Sequence, residues 1–336
     1  MKFYDCYQNY QAEIKFIKTI NAKEAHKWPL FFCTFTPNSN SMSTKKKLNL
    51  SKLVLGLWRL PNSTDTEILS LVNSAIELGI TSVDQADIYG SYESQVFFGR
   101  ALRKDKTLRK KIQLISKTGI ILPNSAFSKS GIGFYNSSEK HVLQSVENSL
   151  TQMGTDYLDL LLIHRPDVLM QPADLDATLQ KLKKQGKVLH FGVSNFSPSQ
   201  YDMLRKTMET PLVTNQVEFS VMHLNPLFDG TFDKCIQHNI SPMIWSPLGG
   251  GNLFSATDAK TVELRKELTV IGEELGGASL DQVAIAWIMK HPSNPNTVIG
   301  TLKPERIKLA AEALNLDLSR EQWYRILIAA QGHPMA

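Results

Sequence analysis

The sequence predicts an α/β fold: a (β/α)8 TIM barrel with additional helices and a C-terminal helical tail. From residue 53 onward, short apolar runs alternate with amphipathic stretches in eight consecutive units. The apolar runs are continuous rather than alternating, as expected for parallel strands covered on both faces. A 336-residue chain that is 42% hydrophobic can also bury one large core. An open, doubly wound sheet would use the same alternation, but eight units in a row favour closure.

The units follow in order. Residues 53–56 read as the first strand and 64–78 as the first helix. Thr64 is its N-cap, Glu67 completes a capping box and Gly79 stops it. Ile68, Leu71, Val72, Ala75, Ile76 and Leu78 are expected to give the helix a buried face. Strand 81–84 is followed by helix 93–102, and strand 112–116 by helix 138–153, with Val142, Val146 and Leu150 at four-residue intervals. Strand 157–163 precedes helix 173–185, which ends at Gly186, and 188–193 precedes 199–208. The last units pair 213–217 with 227–238, 241–245 with 261–275, and 296–299 with 304–313. Residues 279–289 and 320–329 read as extra helices.

Residues 1–41 mix aromatics with charges and lack a sustained period. They are expected to form a poorly ordered N-terminal extension ahead of a domain spanning 42–336, with Met42 as an alternative start. The formal charge of +5 is dispersed and no nucleic-acid-binding motif is present, so no nucleic-acid partner is expected. Cys6, Cys33 and Cys235 form neither a CxxC pair nor a zinc-type cluster. That pattern predicts no metal and a reducing, cytoplasmic location. No apolar run reaches the roughly 18 residues of a membrane span. Oligomeric state is left open.

Chemistry in such a barrel gathers at the C-terminal strand ends, where the βα loops converge. Four ionisable groups stand there: Asp84, Tyr89 in the loop that follows, Lys117 and His164. Each alone is most simply a turn residue, a surface charge or a packed ring. On three successive strands about 4.8 Å apart, they can share one pocket. A phenol with a pKa of about 10 is a poor acid near neutrality, and a Lys117 ammonium beside it is expected to lower that value. Asp84 would hold Lys117 charged, and His164 would hydrogen-bond a carbonyl oxygen. No Rossmann glycine fingerprint or Walker A sequence occurs. Gly131-Ile-Gly133 lacks its third glycine and Gly249-Gly-Gly251 does not fit, so any nucleotide would be held by barrel loops.

Four segments carry a resemblance: Val83-Asp84-Gln-Ala-Asp-Ile-Tyr89-Gly90, Ile115-Ser-Lys117-Thr-Gly119, Leu161-Leu-Ile-His164-Arg-Pro166 and Phe191-Gly-Val-Ser194-Asn195-Phe196. In order and spacing they resemble the motifs of the aldo-keto reductases, closest to a bacterial branch of predicted oxidoreductases. The likeness runs from about residue 53 to 332. It implies that Asp84, Tyr89, Lys117 and His164 are the catalytic tetrad. It also implies that Ser194, Asn195 and Gln216 bind the nicotinamide carboxamide and that Trp245 stacks on the nicotinamide ring. Ser246, Leu248 and Gly249 would line the pyrophosphate, and Thr301 and Arg306 would bind the adenosine 2′-phosphate. Gly300, where many members carry lysine, and Leu309 and Ala310 depart from the pattern. Arg306 suits a 2′-phosphate and Lys303 adds charge, which favours NADP(H).

The implied reaction is reversible NADPH-dependent reduction of an aldehyde or ketone, with a small-molecule carbonyl substrate and Tyr89 as proton donor. Substrate choice would fall to loops: Trp58, residues 118–137, Met222-His-Leu and residues 331–334. Two other readings stand beside it: a class I aldolase-type barrel with Lys117 as Schiff-base nucleophile, and an NADPH-binding regulatory or sensor subunit with little turnover.

Overall fold

A computed structural model describes residues 48–335. The expected extension at 1–41, the alternative start at Met42, and Cys6 and Cys33 lie outside the described residues. Eight strands form the barrel: β1 (Leu53–Gly56), β2 (Ser82–Asp84), β3 (Gln113–Thr118), β4 (Leu158–Ile163), β5 (Val188–Ser194), β6 (Leu212–Glu218), β7 (Met243–Trp245) and β8 (Asn296–Ile299). They close in the cyclic order β1-β8-β7-β6-β5-β4-β3-β2, every pair parallel.

Around them run α1 (Asp65–Glu77), α2 (Ser94–Lys104), α3 (Glu139–Met153), α4 (Pro172–Lys184), α5 (Pro198–Thr207), α6 (Thr231–Gln237), α7 (Ala259–Glu274), α8 (Leu280–Met289), α9 (Pro304–Glu312) and α10 (Arg320–Gln331). The capping box expected of α1 is formed: the Glu67 amide donates to Thr64 Oγ1 and the Thr64 amide to Glu67 Oε2. No helix among the described residues is long and apolar enough to cross a membrane.

Strand periodicity explains how the site is built. Val54, Ile115, Leu160, Leu162, Met243 and Val298 pack together in one cluster, while Leu55, Leu114, Leu161 and Ile163 belong to the shell beneath the helices. Side chains alternate along a strand. Two residues beyond each inward position, the lumen-facing row therefore continues as Gly56, Lys117, His164, Trp245 and Gly300. Register keeps those ends level: Gly56 pairs with Asp84, and Ser194 with Gln216.

Three local differences from the sequence reading have physical causes. β3 runs on to Thr118, because its pairing with β4 persists through Thr118 and Ile163; Lys117 thus sits inside a strand. The helix expected at 227–238 begins only at Thr231, after a 3-10 turn at Asn225–Leu227 and a left-handed Gly230 (φ 85°). The segment 118–137 contains a small antiparallel pairing, Ile120–Ile121 with Phe134–Tyr135.

Two other polar or aromatic features hold the frame. Asp159, the one polar residue inside β4, accepts from Arg109 and from the Leu114 amide, each at 2.9 Å, so its burial is compensated. The C-terminal helix is held by an aromatic pair: Trp287 and Trp323 stack at 5.0 Å, and each indole N–H donates to the other's carbonyl at 3.0 Å.

Candidate active site

Lys117 is the most deeply placed of the four groups, its side chain 0% exposed. Its Nζ donates to Asp84 Oδ2 at 2.6 Å, to the Gln85 carbonyl at 3.0 Å and to the Tyr89 hydroxyl at 2.7 Å. Three acceptors match the three N–H groups of an ammonium. Burial pulls the ammonium below its usual pKa range, and the carboxylates of Asp84 and then Asp87 pull it back up. Asp84 is itself shared. Its Oδ2 also accepts from the Tyr89 hydroxyl at 3.3 Å, and its Oδ1 accepts from Gln216 Nε2 at 3.1 Å across the barrel.

Tyr89 opens a short helical turn, Tyr89–Tyr92, whose left-handed Gly90 (φ 57°) lets Pro61 approach; a Cβ there would lie 2.3 Å from Pro61 Cγ. Its phenol differs from expectation. Burial, and then the negative charges of Asp84 and Asp87, push it well above its usual pKa of 10. The lowering expected from Lys117 is outweighed, and the phenol is held protonated near neutrality. It accepts from Lys117 and keeps its own proton to give.

His164 lies edge-on to Tyr89, ring centroids 6.1 Å apart at 76°. Burial, and then the charges of Lys117 and Arg165, hold its pKa well below the usual imidazole value, so the ring is neutral. Its Nδ1 is buried with no hydrogen-bond partner.

These groups open onto a cavity of about 800 Å³, near the upper end of small-molecule pockets. Asp84, Tyr89, His164, Ser194, Asn195, Gln216, Trp245, Ser246, Leu248, Thr301 and Arg306 all line it. Lys117 stands behind Tyr89 and does not.

Gly249 also faces elsewhere. A Cβ at that position would lie 2.8 Å from Met222 Sδ, and Gly250 and Gly251 line the cavity in its place. The amides expected to meet a nicotinamide are tied to each other here. Asn195 Nδ2 donates to Ser194 Oγ at 2.8 Å and to the His164 carbonyl at 3.3 Å, and its Oδ1 accepts from Trp245 Nε1 at 2.9 Å. Ser194 Oγ donates to the Gln216 carbonyl at 3.0 Å.

The Aldo/keto reductase family model matches residues 52–330, a span that holds all eight strands of the barrel. The chain belongs to this family. It is an aldo/keto reductase-type oxidoreductase on a TIM barrel. It is similar to the uncharacterized oxidoreductase YcsN of Bacillus subtilis, 44% identical over 288 residues that cover 85% of this chain and 96% of that one. It is also similar to a 6-dehydroglucose reductase of Agrobacterium fabrum, 39% identical over 293 residues covering 86% and 97%. An aldo/keto reductase of Klebsiella pneumoniae, solved in complex with NADP and acetate, shares the fold with a TM-score of 0.68. That pair is 22% identical, over 85% of this chain and 93% of the other.

Within this aldo/keto reductase, several site groups escaped sequence reading. Asp87 is buried three residues after Asp84. Its Oδ2 accepts from Ser145 at 2.8 Å, its Oδ1 has no partner, and burial raises it to about 7. Arg165 lines the cavity with its guanidinium 5.9 Å from the Trp245 ring. Asp281 enters from the first turn of α8. The one available signal was proximity in sequence: Asp87 and Arg165 adjoin predicted site residues. Asp281 had none, because only the closing of the barrel brings α8 to the cavity.

Proposed function

We propose that this chain reduces an aldehyde or ketone to an alcohol with NADPH, reversibly, with Tyr89 as proton donor. The observation that carries the reading is the Tyr89 hydroxyl. It is held by buried Lys117 at 2.7 Å, and Tyr89 is one of the residues that line the cavity.

The residues present fit a dinucleotide. At Gly250 and Gly251, φ is 66° and 106°, and an added Cβ would meet nothing within 4 Å, so the backbone is open to close approach by phosphates. Trp245 offers a ring at the cavity wall, and Ser194, Asn195 and Gln216 offer amide and hydroxyl groups beside it. Leu248 and Ser246 adjoin the glycines, with Gly249 supporting their loop from behind. Thr301 and Arg306 suit an adenosine 2′-phosphate, as a guanidinium forks onto phosphate oxygens. When bound, NADPH supplies the hydride that goes to the carbonyl carbon.

The chain's own residues do the rest. His164, neutral and adjacent to Tyr89, donates a hydrogen bond to the carbonyl oxygen and fixes its position. As negative charge develops there, that oxygen becomes a stronger base than the phenol and takes the Tyr89 proton. The Lys117 N–H aimed at the phenol oxygen then stabilises the phenolate, and Asp84 balances the ammonium. A Schiff-base role for Lys117 needs a free amine. Its three N–H groups each have an acceptor, which speaks against the aldolase alternative. The relative named for 6-dehydroglucose makes sugar carbonyls the first substrates to try.

Calorimetric titration with NADPH and NADH, then a carbonyl screen followed by nicotinamide absorbance, tests the reading. Binding of NADPH and its oxidation by at least one carbonyl are expected. Binding without turnover on any of them would favour the sensor reading.

A further inference from the structure

Gly300 ends the lumen-facing row of β8, at the position where the resemblance leads one to expect a lysine. The space for that side chain is filled from elsewhere. A Cβ at 300 would lie 2.8 Å from Trp58 Nε1 and 3.6 Å from an Arg59 guanidinium nitrogen. Both residues belong to the loop after β1. Arg59 donates to the Gly300 carbonyl, and its guanidinium sits 4.1 Å from the Trp58 ring centroid.

Two contacts therefore hold the Arg59 head where a lysine stem would begin, leaving most of its N–H groups for a ligand. A planar fork fixed on an aromatic face is preorganised for phosphate oxygens. Thr301 and Arg306 follow in the loop after β8, and Arg59, Gly300, Thr301 and Arg306 line the same cavity. Among the described residues, neither arginine forms an ion pair with a carboxylate; the ion pairs of the chain lie elsewhere. Asp281 also lines the cavity, with its Oδ1 accepting from Ser279 Oγ at 2.7 Å. Of the two carboxylates lining the cavity, Asp84 is paired with Lys117, which leaves Asp281 against the guanidinium groups of Arg59, Arg165 and Arg306, so the balance still favours an anion.

We propose that Arg59 supplies the cation Gly300 lacks, and that Arg59 and Arg306, from loops on neighbouring strands, grip the 2′-phosphate of the dinucleotide together. This rests on the NADPH reading above. It makes the absence of a side chain at 300 a requirement rather than a loss, because a Cβ there would lie 2.8 Å from Trp58 Nε1 and crowd the ring on which the Arg59 guanidinium rests.

The test is calorimetric binding by the full chain of NADPH, NADH, 2′,5′-ADP and 5′-AMP. Arg59→Ala is expected to weaken NADPH and 2′,5′-ADP by about tenfold or more, the scale of a charge-assisted contact to phosphate. NADH and 5′-AMP should stay within about threefold of wild type. Gly300→Ala should shift the same two ligands in the same direction, because its Cβ crowds Trp58, on whose ring the Arg59 guanidinium rests. Equal weakening of NADPH and NADH by Arg59→Ala, or no change in either, overturns the proposal while leaving the NADPH reading intact. Wild-type protein that binds neither dinucleotide overturns both.

Discussion

The Lys117 ammonium lies 2.7 Å from the Tyr89 hydroxyl and 2.6 Å from Asp84 Oδ2, so one buried cation joins the proposed acid to the carboxylate beneath it. The phenol accepts from Lys117, and its proton points to Asp84 at 3.3 Å until a stronger acceptor arrives. Burial keeps it protonated; Lys117 matters once the proton has left.

Tyr89→Phe should therefore lower turnover by about 100-fold or more, the usual scale of a lost general acid. NADPH affinity, measured by calorimetry, should hardly change, because the phenol acts on the carbonyl oxygen. Wild-type turnover in this variant would sink the mechanism.

Lys117→Met should cost both activity and stability. It leaves the Asp84 carboxylate buried beside only Gln216 and Tyr89, and breaking a buried pair costs about 3–5 kcal/mol. Adding Asp84→Asn should recover most of that loss in urea unfolding while turnover stays low. A double variant no more stable than Lys117→Met would show that the charge imbalance is not the cause.

Asp87 gives the fold a pH dependence. Burial raises its folded pKa to about 7, against an unfolded value of 3.8. Between those values the folded chain holds a proton that the unfolded chain has lost. The stabilisation is complete below the lower value and disappears as pH rises through about 7. Asp87→Asn should remove this slope. Its stability relative to wild type should rise between pH 5 and pH 8, by on the order of 2–4 kcal/mol in urea titrations. A difference that does not vary with pH would refute it.

His164 should not add a step to the rate profile near the ordinary imidazole pKa. Burial and the charges of Lys117 and Arg165 hold it neutral well below that value. A turnover profile that falls with a midpoint near pH 6.5, and loses that fall in His164→Gln, would contradict this.

Gly99→Ala should destabilise the barrel without touching the site. α2 and α3 cross so closely that a Cβ at 99 would lie 1.9 Å from the Gln152 carbonyl oxygen and 2.7 Å from Met153 Cα. Backbone cannot swing aside, so a loss of about 3 kcal/mol is expected in urea unfolding. The Kd for NADPH should be unchanged at temperatures where the variant is folded.

Much of this protein is written locally in its sequence. Continuous apolar runs, the Thr64–Glu67 box and the glycine stops determine strands and helices, because backbone hydrogen bonding and burial act within a few residues. Eight such units leave closure as the arrangement that covers every strand. Alternation along the strands then aims Lys117 and His164 into the lumen, where Tyr89 and Asp84 meet them. That much follows from period and order.

The tertiary structure decided what depends on distance through space. Gln216 reaches Asp84 from 132 residues away, and Arg59 stands in the space beside Gly300 from 241 residues away. It also reversed the expected Tyr89 shift. A neighbouring ammonium can be read from sequence order, but the water excluded from the site and the carboxylates of Asp84 and Asp87 take effect only once the barrel has closed around them.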